Sequence, residues 1–97
     1  MFSKVPFDLS SLEEADLEKQ LLRIAISAEL DAINLYEQLA ALAEDENLKV
    51  LFYEIAREEK THVGEFLSLL LEKDEEQAVE LEEGRREVEE LLEEEEE

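Results

Sequence analysis
The sequence has 97 residues, a formal net charge of −21 and no cysteine. That length builds one small domain, and the charge repels nucleic acid and anionic membrane surfaces while it attracts cations. Without cysteine there are no disulfides, thiolate metal sites, iron–sulfur clusters or thiol nucleophiles, so a bound metal must be held by carboxylates and the single histidine, His62.

Residues 1–9 read as an extended N-terminal arm, because Pro6 disfavours helix at Val5 and few periodic apolar residues follow. The arm has no apolar core of the signal-peptide kind, and no run reaches the roughly 20 residues of a membrane span. A cytoplasmic location is therefore expected. Ser10-Ser11-Leu12-Glu13-Glu14 holds two overlapping Ser-x-x-Glu capping boxes, which predict the start of a first helix.

From Leu12 to about Glu44 there is no Gly or Pro, and the strong helix formers Ala, Leu and Glu dominate. One stripe of this helix runs Leu17, Leu21, Ile24, Ala28, Asp31, Leu35, Leu39 and Leu42. A second apolar set of Leu22, Ile26, Leu30 and Ile33 lies on neighbouring faces. A helix apolar over so much of its circumference needs more partners than one antiparallel neighbour supplies.

The polar break Glu44-Asp45-Glu46-Asn47 suits an antiparallel helix pair, with Asp45 or Asn47 as the cap of a second helix over about Leu48 to Lys73. Gly64 inside it marks either a close helix approach or nothing. Asp74-Glu75-Glu76-Gln77 resembles another capping box, opening a shorter third helix through about Leu92, with i,i+4 support from pairs such as Glu82–Arg86. Residues 93–97 are a run of like charge, expected as a disordered acidic tail, which leaves 10–92 as the helical domain.

The second helix carries the apolar stripe Leu48, Leu51/Phe52, Ile55, Glu59, His62, Phe66, Leu69, in which Glu59 and His62 form a Glu-x-x-His pair. Residues three apart on a helix share a face, so the carboxylate and the imidazole can reach one metal together. On the first helix Glu29 similarly interrupts a face of Ala25, Ala32, Tyr36 and Ala43, at a matching distance from the Asp45 turn. Carboxylates on apolar faces must be neutralised, paired or bound to a cation. One Glu plus one Glu-x-x-His is half of the ligand set of a carboxylate di-metal bundle, so two chains complete it. Oxygen ligands with one imidazole per metal suit iron or manganese. The competing reading pairs His62 with Glu58 or Glu65 on a solvated surface and makes the chain a metal-free helical assembly or adaptor module. Tyr36 either hydrogen-bonds a ligand or packs as plain core, and Asp31 is either a boundary residue or part of an ion path.

At Ala28-Glu29-Leu30-Asp31-Ala32-Ile33-Asn34-Leu35-Tyr36-Glu37-Gln38 and Arg57-Glu58-Glu59-Lys60-Thr61-His62, the chain resembles the encapsulated ferritins, ferritin-like proteins housed in encapsulin nanocompartments. The likeness covers about residues 15–90 and is greatest to the archaeal form fused ahead of the shell protein. It implies an all-α antiparallel two-helix hairpin with a short C-terminal helix, dimerising into a ferritin-like four-helix bundle. It also implies a ferroxidase centre across the dimer, with Glu29, Glu59 and His62 of each chain as iron ligands and Tyr36 alongside. A decamer and storage of oxidised iron inside an encapsulin shell follow from the same likeness. The family's secondary metal site has an acidic residue where this chain has Ala28 and a Trp where it has Leu35; Asp31 keeps one acidic member of it. The C-terminal shell-targeting peptide of free-standing members is absent, which fits either a domain cut from a fusion or a chain that ends early, with the glutamate run as a linker. A rubrerythrin-like peroxidase domain is the other enzymatic reading; such domains usually carry further Glu ligands and a cysteine-bound iron, both missing here.

Overall fold
In a computed structural model the structure describes residues 13–96, which form three helices: α1 (Glu14–Leu42), α2 (Glu46–Lys73) and α3 (Glu75–Glu96). The expected N-terminal arm and the Ser10 and Ser11 caps lie outside the described residues. Glu13 is the N-cap of α1, with no side-chain capping hydrogen bond. Helix α1 stops two residues before Glu44, where Ala43 turns extended and its N–H donates to the Leu39 carbonyl at 3.0 Å. Asp45 then caps α2, its carboxylate accepting from the Asn47 and Leu48 N–H groups at 2.7 and 3.4 Å. Of the two caps the sequence offers, Asp45 is therefore the one used. No cation stands in the last turn of α1, but Lys49 reaches across from α2 and donates its Nζ to the Ala40 carbonyl at 2.9 Å. That satisfies one of the carbonyls a helix end leaves unpaired.

Such a short link makes α1 and α2 antiparallel, and ion pairs mark the register along them: Glu18 with Lys73 at 2.7 Å, Glu37 with Lys60 at 3.3 Å. Between the helices lies a thin core of Ala32, Ile33, Ala40, Ala56 and Leu70, with no large side chain fully enclosed among the described residues. Small residues at the crossing let the backbones approach, and two helices form only one layer of contact. The flanks stay open: Leu21 and Leu30 on α1, and Leu48, Leu51 and Leu69 on α2, are about half exposed. Gly64 faces open space, so within this chain it makes no close approach.

Helix α3 does not continue α2. The span from Glu46 to Glu96, about 51 residues, would measure about 76 Å as one rod, whereas the longest extent of the chain is 50 Å and the next is 46 Å. The helix turns away at Asp74 and leaves Val79, Leu81, Val88, Leu91 and Leu92 exposed. It also runs to Glu96, so residues 93–96, expected as part of a disordered tail, are helical. Glutamate is a strong helix former, and each like-charge i,i+4 pair costs only a few tenths of a kcal/mol. Arg85 pairs with Glu82 and Glu89, and Arg86 with Glu83 rather than with Glu82 as its salt-bridge partner.

Replacing Asp45 with Ala should cost about 1 kcal/mol, read as a lower denaturation midpoint at unchanged slope. Asp74 gives a pH test. The Gln77 N–H donates to its carboxylate, burial opposes, and the charges of Lys19 and Arg23 add to a pKa held below the usual carboxylate value. A depressed pKa stabilises the fold above the unfolded value, near 4, and the effect is lost as pH falls through the lower folded value. The stability gap between the protein and an Asp74→Asn variant should therefore be full at pH 7 and close below about pH 4.

Candidate metal centre
Glu29 stands midway along α1, on an uninterrupted helix whose neighbours at Ala25, Ala28 and Ala32 are small enough to let α2 come near. Glu59 and His62 stand one turn apart on α2, and the register of the hairpin brings the three together. His62 Nδ1 lies 3.1 Å from Glu29 Oε2 and 3.5 Å from Glu59 Oε2. One ligand atom from each residue falls within 4.8 Å of the others. Bonds of about 2 Å put two ligands of one ion at most about 4 Å apart, so a slight closing of the trio fits a single cation. Two carboxylates and an imidazole are a hard, oxygen-rich set of the kind that suits iron or manganese.

Burial is graded across the trio. The side chains of Glu29 and Glu59 are 20% and 18% exposed, in the crease between the helices, while that of His62 is 43% exposed at its lip. The cluster therefore opens along the stripe that carries Leu48, Leu51 and Leu69. His62 faces the two inward carboxylates, which disposes of the surface pairing with Glu58 or Glu65 as its main contact.

The other two candidates are placed differently. Tyr36, two turns or about 10 Å along the axis from Glu29, lies against Phe52, with ring centroids 6.3 Å apart and planes tilted by 32°. Asp31 is half-buried, and two residues of helix rotate it about 200° from Glu29; it does not join the trio. Sequence reading missed the long-range ion pair of Arg23 with Asp74. The Asp-x-x-Gln spacing pointed to Asp74 as a cap, but nothing local pointed to Arg23.

An antiparallel helix pair whose carboxylates and imidazole converge at mid-height is the arrangement of a ferritin-like protein. Residues 20–97 match the family profile described as Rubrerythrin. A ferritin-like-encapsulin shell fusion protein of Pyrococcus furiosus is 60% identical over 72 residues, which cover 74% of this chain and 21% of that protein. The chain thus spans about a fifth of the length of the curated relative it matches. The crystal structure of the encapsulated ferritin domain from Pyrococcus furiosus superposes with a TM-score of 0.80 at 50% identity, over 90% of this chain and 87% of that one. The chain belongs to the rubrerythrin family and, in it, to the encapsulated ferritins.

Adding Mn(II), which needs no oxidant to bind, should raise the melting temperature of the protein. At 100 times the dissociation constant the linkage is worth about 2.7 kcal/mol, and the shift should vanish in His62→Ala.

Proposed function
We propose that the chain is half of a ferroxidase, which oxidises Fe(II) to Fe(III) at a di-iron site shared by two copies. The observation that carries this reading is the convergence of Glu29, Glu59 and His62 Nδ1 within 4.8 Å. Three donors are too few for two irons, and the same three from a second copy complete a bundle of two Glu and two Glu-x-x-His helices. The half-exposed Leu48, Leu51 and Leu69 on the stripe of His62 supply apolar surface for that second copy to cover.

In this reading iron is the substrate. Glu29 and Glu59 supply negative charge that favours Fe(III) over Fe(II), and His62 completes each iron's donor set while leaving positions open to the oxidant. Each Fe(II) gives up one electron. Two irons held together deliver two electrons to dioxygen, which takes two protons from solvent and leaves as hydrogen peroxide. Tyr36 stands on the same α1 face as Glu29, held by its packing on Phe52. Assembly of dimers into a decamer accords with family membership. A hairpin encloses no space for mineral, and the relative from Pyrococcus furiosus is a fusion with a shell protein; the oxidised iron is accordingly stored in an encapsulin compartment.

Anaerobic titration of the metal-stripped protein should bind close to one Fe(II) per chain and drive chains into larger assemblies. Admitting air should then oxidise the iron rapidly in the native chain and not in Glu59→Leu, with helicity unchanged. Two or more tight irons per chain would overturn the shared site.

A further inference from the structure
We propose that the corner between α2 and α3 is a two-state joint, held bent by Asp74 and Arg23 and able to straighten into one continuous helix when that clasp is released. Nothing local demands the bend. Glu72-Lys73-Asp74-Glu75-Glu76-Gln77-Ala78 contains neither Gly nor Pro and, apart from Asp74, consists of strong helix formers. Asp74 alone leaves helical geometry, at φ −133° and ψ 88°. Its N–H still donates to the Leu70 carbonyl at 2.9 Å and its carbonyl accepts from Ala78 at 3.2 Å, so one residue ends one helix and begins the next.

Two contacts of its side chain hold that geometry. One carboxylate oxygen accepts from the Gln77 N–H at 3.0 Å, and the other accepts from the Arg23 guanidinium of α1. Asp74 is 9% exposed, the one charged residue among those described that is buried. The groups around it are Asp16, Lys19 and Arg23 from α1, Lys73 from α2, itself paired with Glu18, and Glu75 and Glu76 from α3. Little else restrains α3, whose Val79, Val88, Leu91 and Leu92 are all more than half exposed. Straightening gives up the cap and the ion pair, and it pairs the backbone groups that each helix end leaves open. The cap and the ion pair therefore hold the joint bent, and loss of the Asp74 charge biases it toward the rod. Arg23 ties the joint to α1, so the direction of α3 reports whether the hairpin beneath it is packed.

The absence of cysteine allows a clean distance measurement. Thr61→Cys and Glu90→Cys, both exposed and clear of the clasp, would carry spin labels in the full chain, diluted with unlabelled chain so that only intramolecular distances count. A continuous helix sets these positions about 43 Å apart, and a bent one sets them closer. The native background should give the shorter distance alone. Asp74→Ala should move most of the population to about 43 Å, and Arg23→Gln a clear fraction. Unchanged distances in both variants would overturn the proposal, and a shift in Asp74→Ala without one in Arg23→Gln would overturn the role of Arg23. The Arg23 side chain is 46% exposed, so Arg23→Gln preserves the test should Asp74→Ala fail to fold, with circular dichroism as the check on helicity.

Discussion
The three residues between Leu42 and Glu46 decide the geometry of the site. They are too few for anything but an antiparallel return, and the Asp45 cap sets where α2 begins. With the start of α2 set, the side chain that meets Glu29 halfway up the pair is His62, 33 positions further along the chain. A slip of one residue would rotate Glu59 and His62 by about 100° and take both out of the crease. The site therefore depends on register more than on any single contact within it.

Register in turn is held by modest forces. The crossing is built on alanines, which permit close backbones but contribute little buried area. Among the described residues, four basic side chains bridge one helix to another or to the corner: Lys49, Lys60, Lys73 and Arg23. The exposed ion pairs of Lys60 and Lys73 are worth about 0–1 kcal/mol each, so their effect lies in choosing one alignment of the two helices. In a chain of net charge −21 the choice is sharp, because most misaligned pairings set carboxylate against carboxylate.

The same thinness ties folding to function. A hairpin that leaves Leu48, Leu51 and Leu69 half exposed on the stripe of a half-exposed His62 presents apolar surface and the open side of the Glu29–Glu59–His62 cluster on one face. In the proposed dimer, covering the leucines and completing the ligand set are one event, so metal and partner would each favour the other's binding. The exposed side of α3 has no such pairing with the trio; its geometry is governed separately, at Asp74.

Much of this was legible in the residues. Uninterrupted Ala, Leu and Glu predict the helices, the Asp45 and Asp74 caps act within three residues of themselves, and Glu29, Glu59 and His62 stand out as polar members of apolar faces. These are local signals with the period of a helix, so a chain read in one dimension contains them. Tertiary structure decided what spans the helices: that His62 of α2 turns to Glu29 of α1 instead of to Glu58 or Glu65. It also decided that α3 breaks away at a residue tied to Arg23, and no periodicity joins positions 51 apart. The last turn of α3 is helical for an energetic reason. Like-charge repulsion between solvated glutamates is weaker than their helix propensity, and only the folded chain showed which of the two prevails.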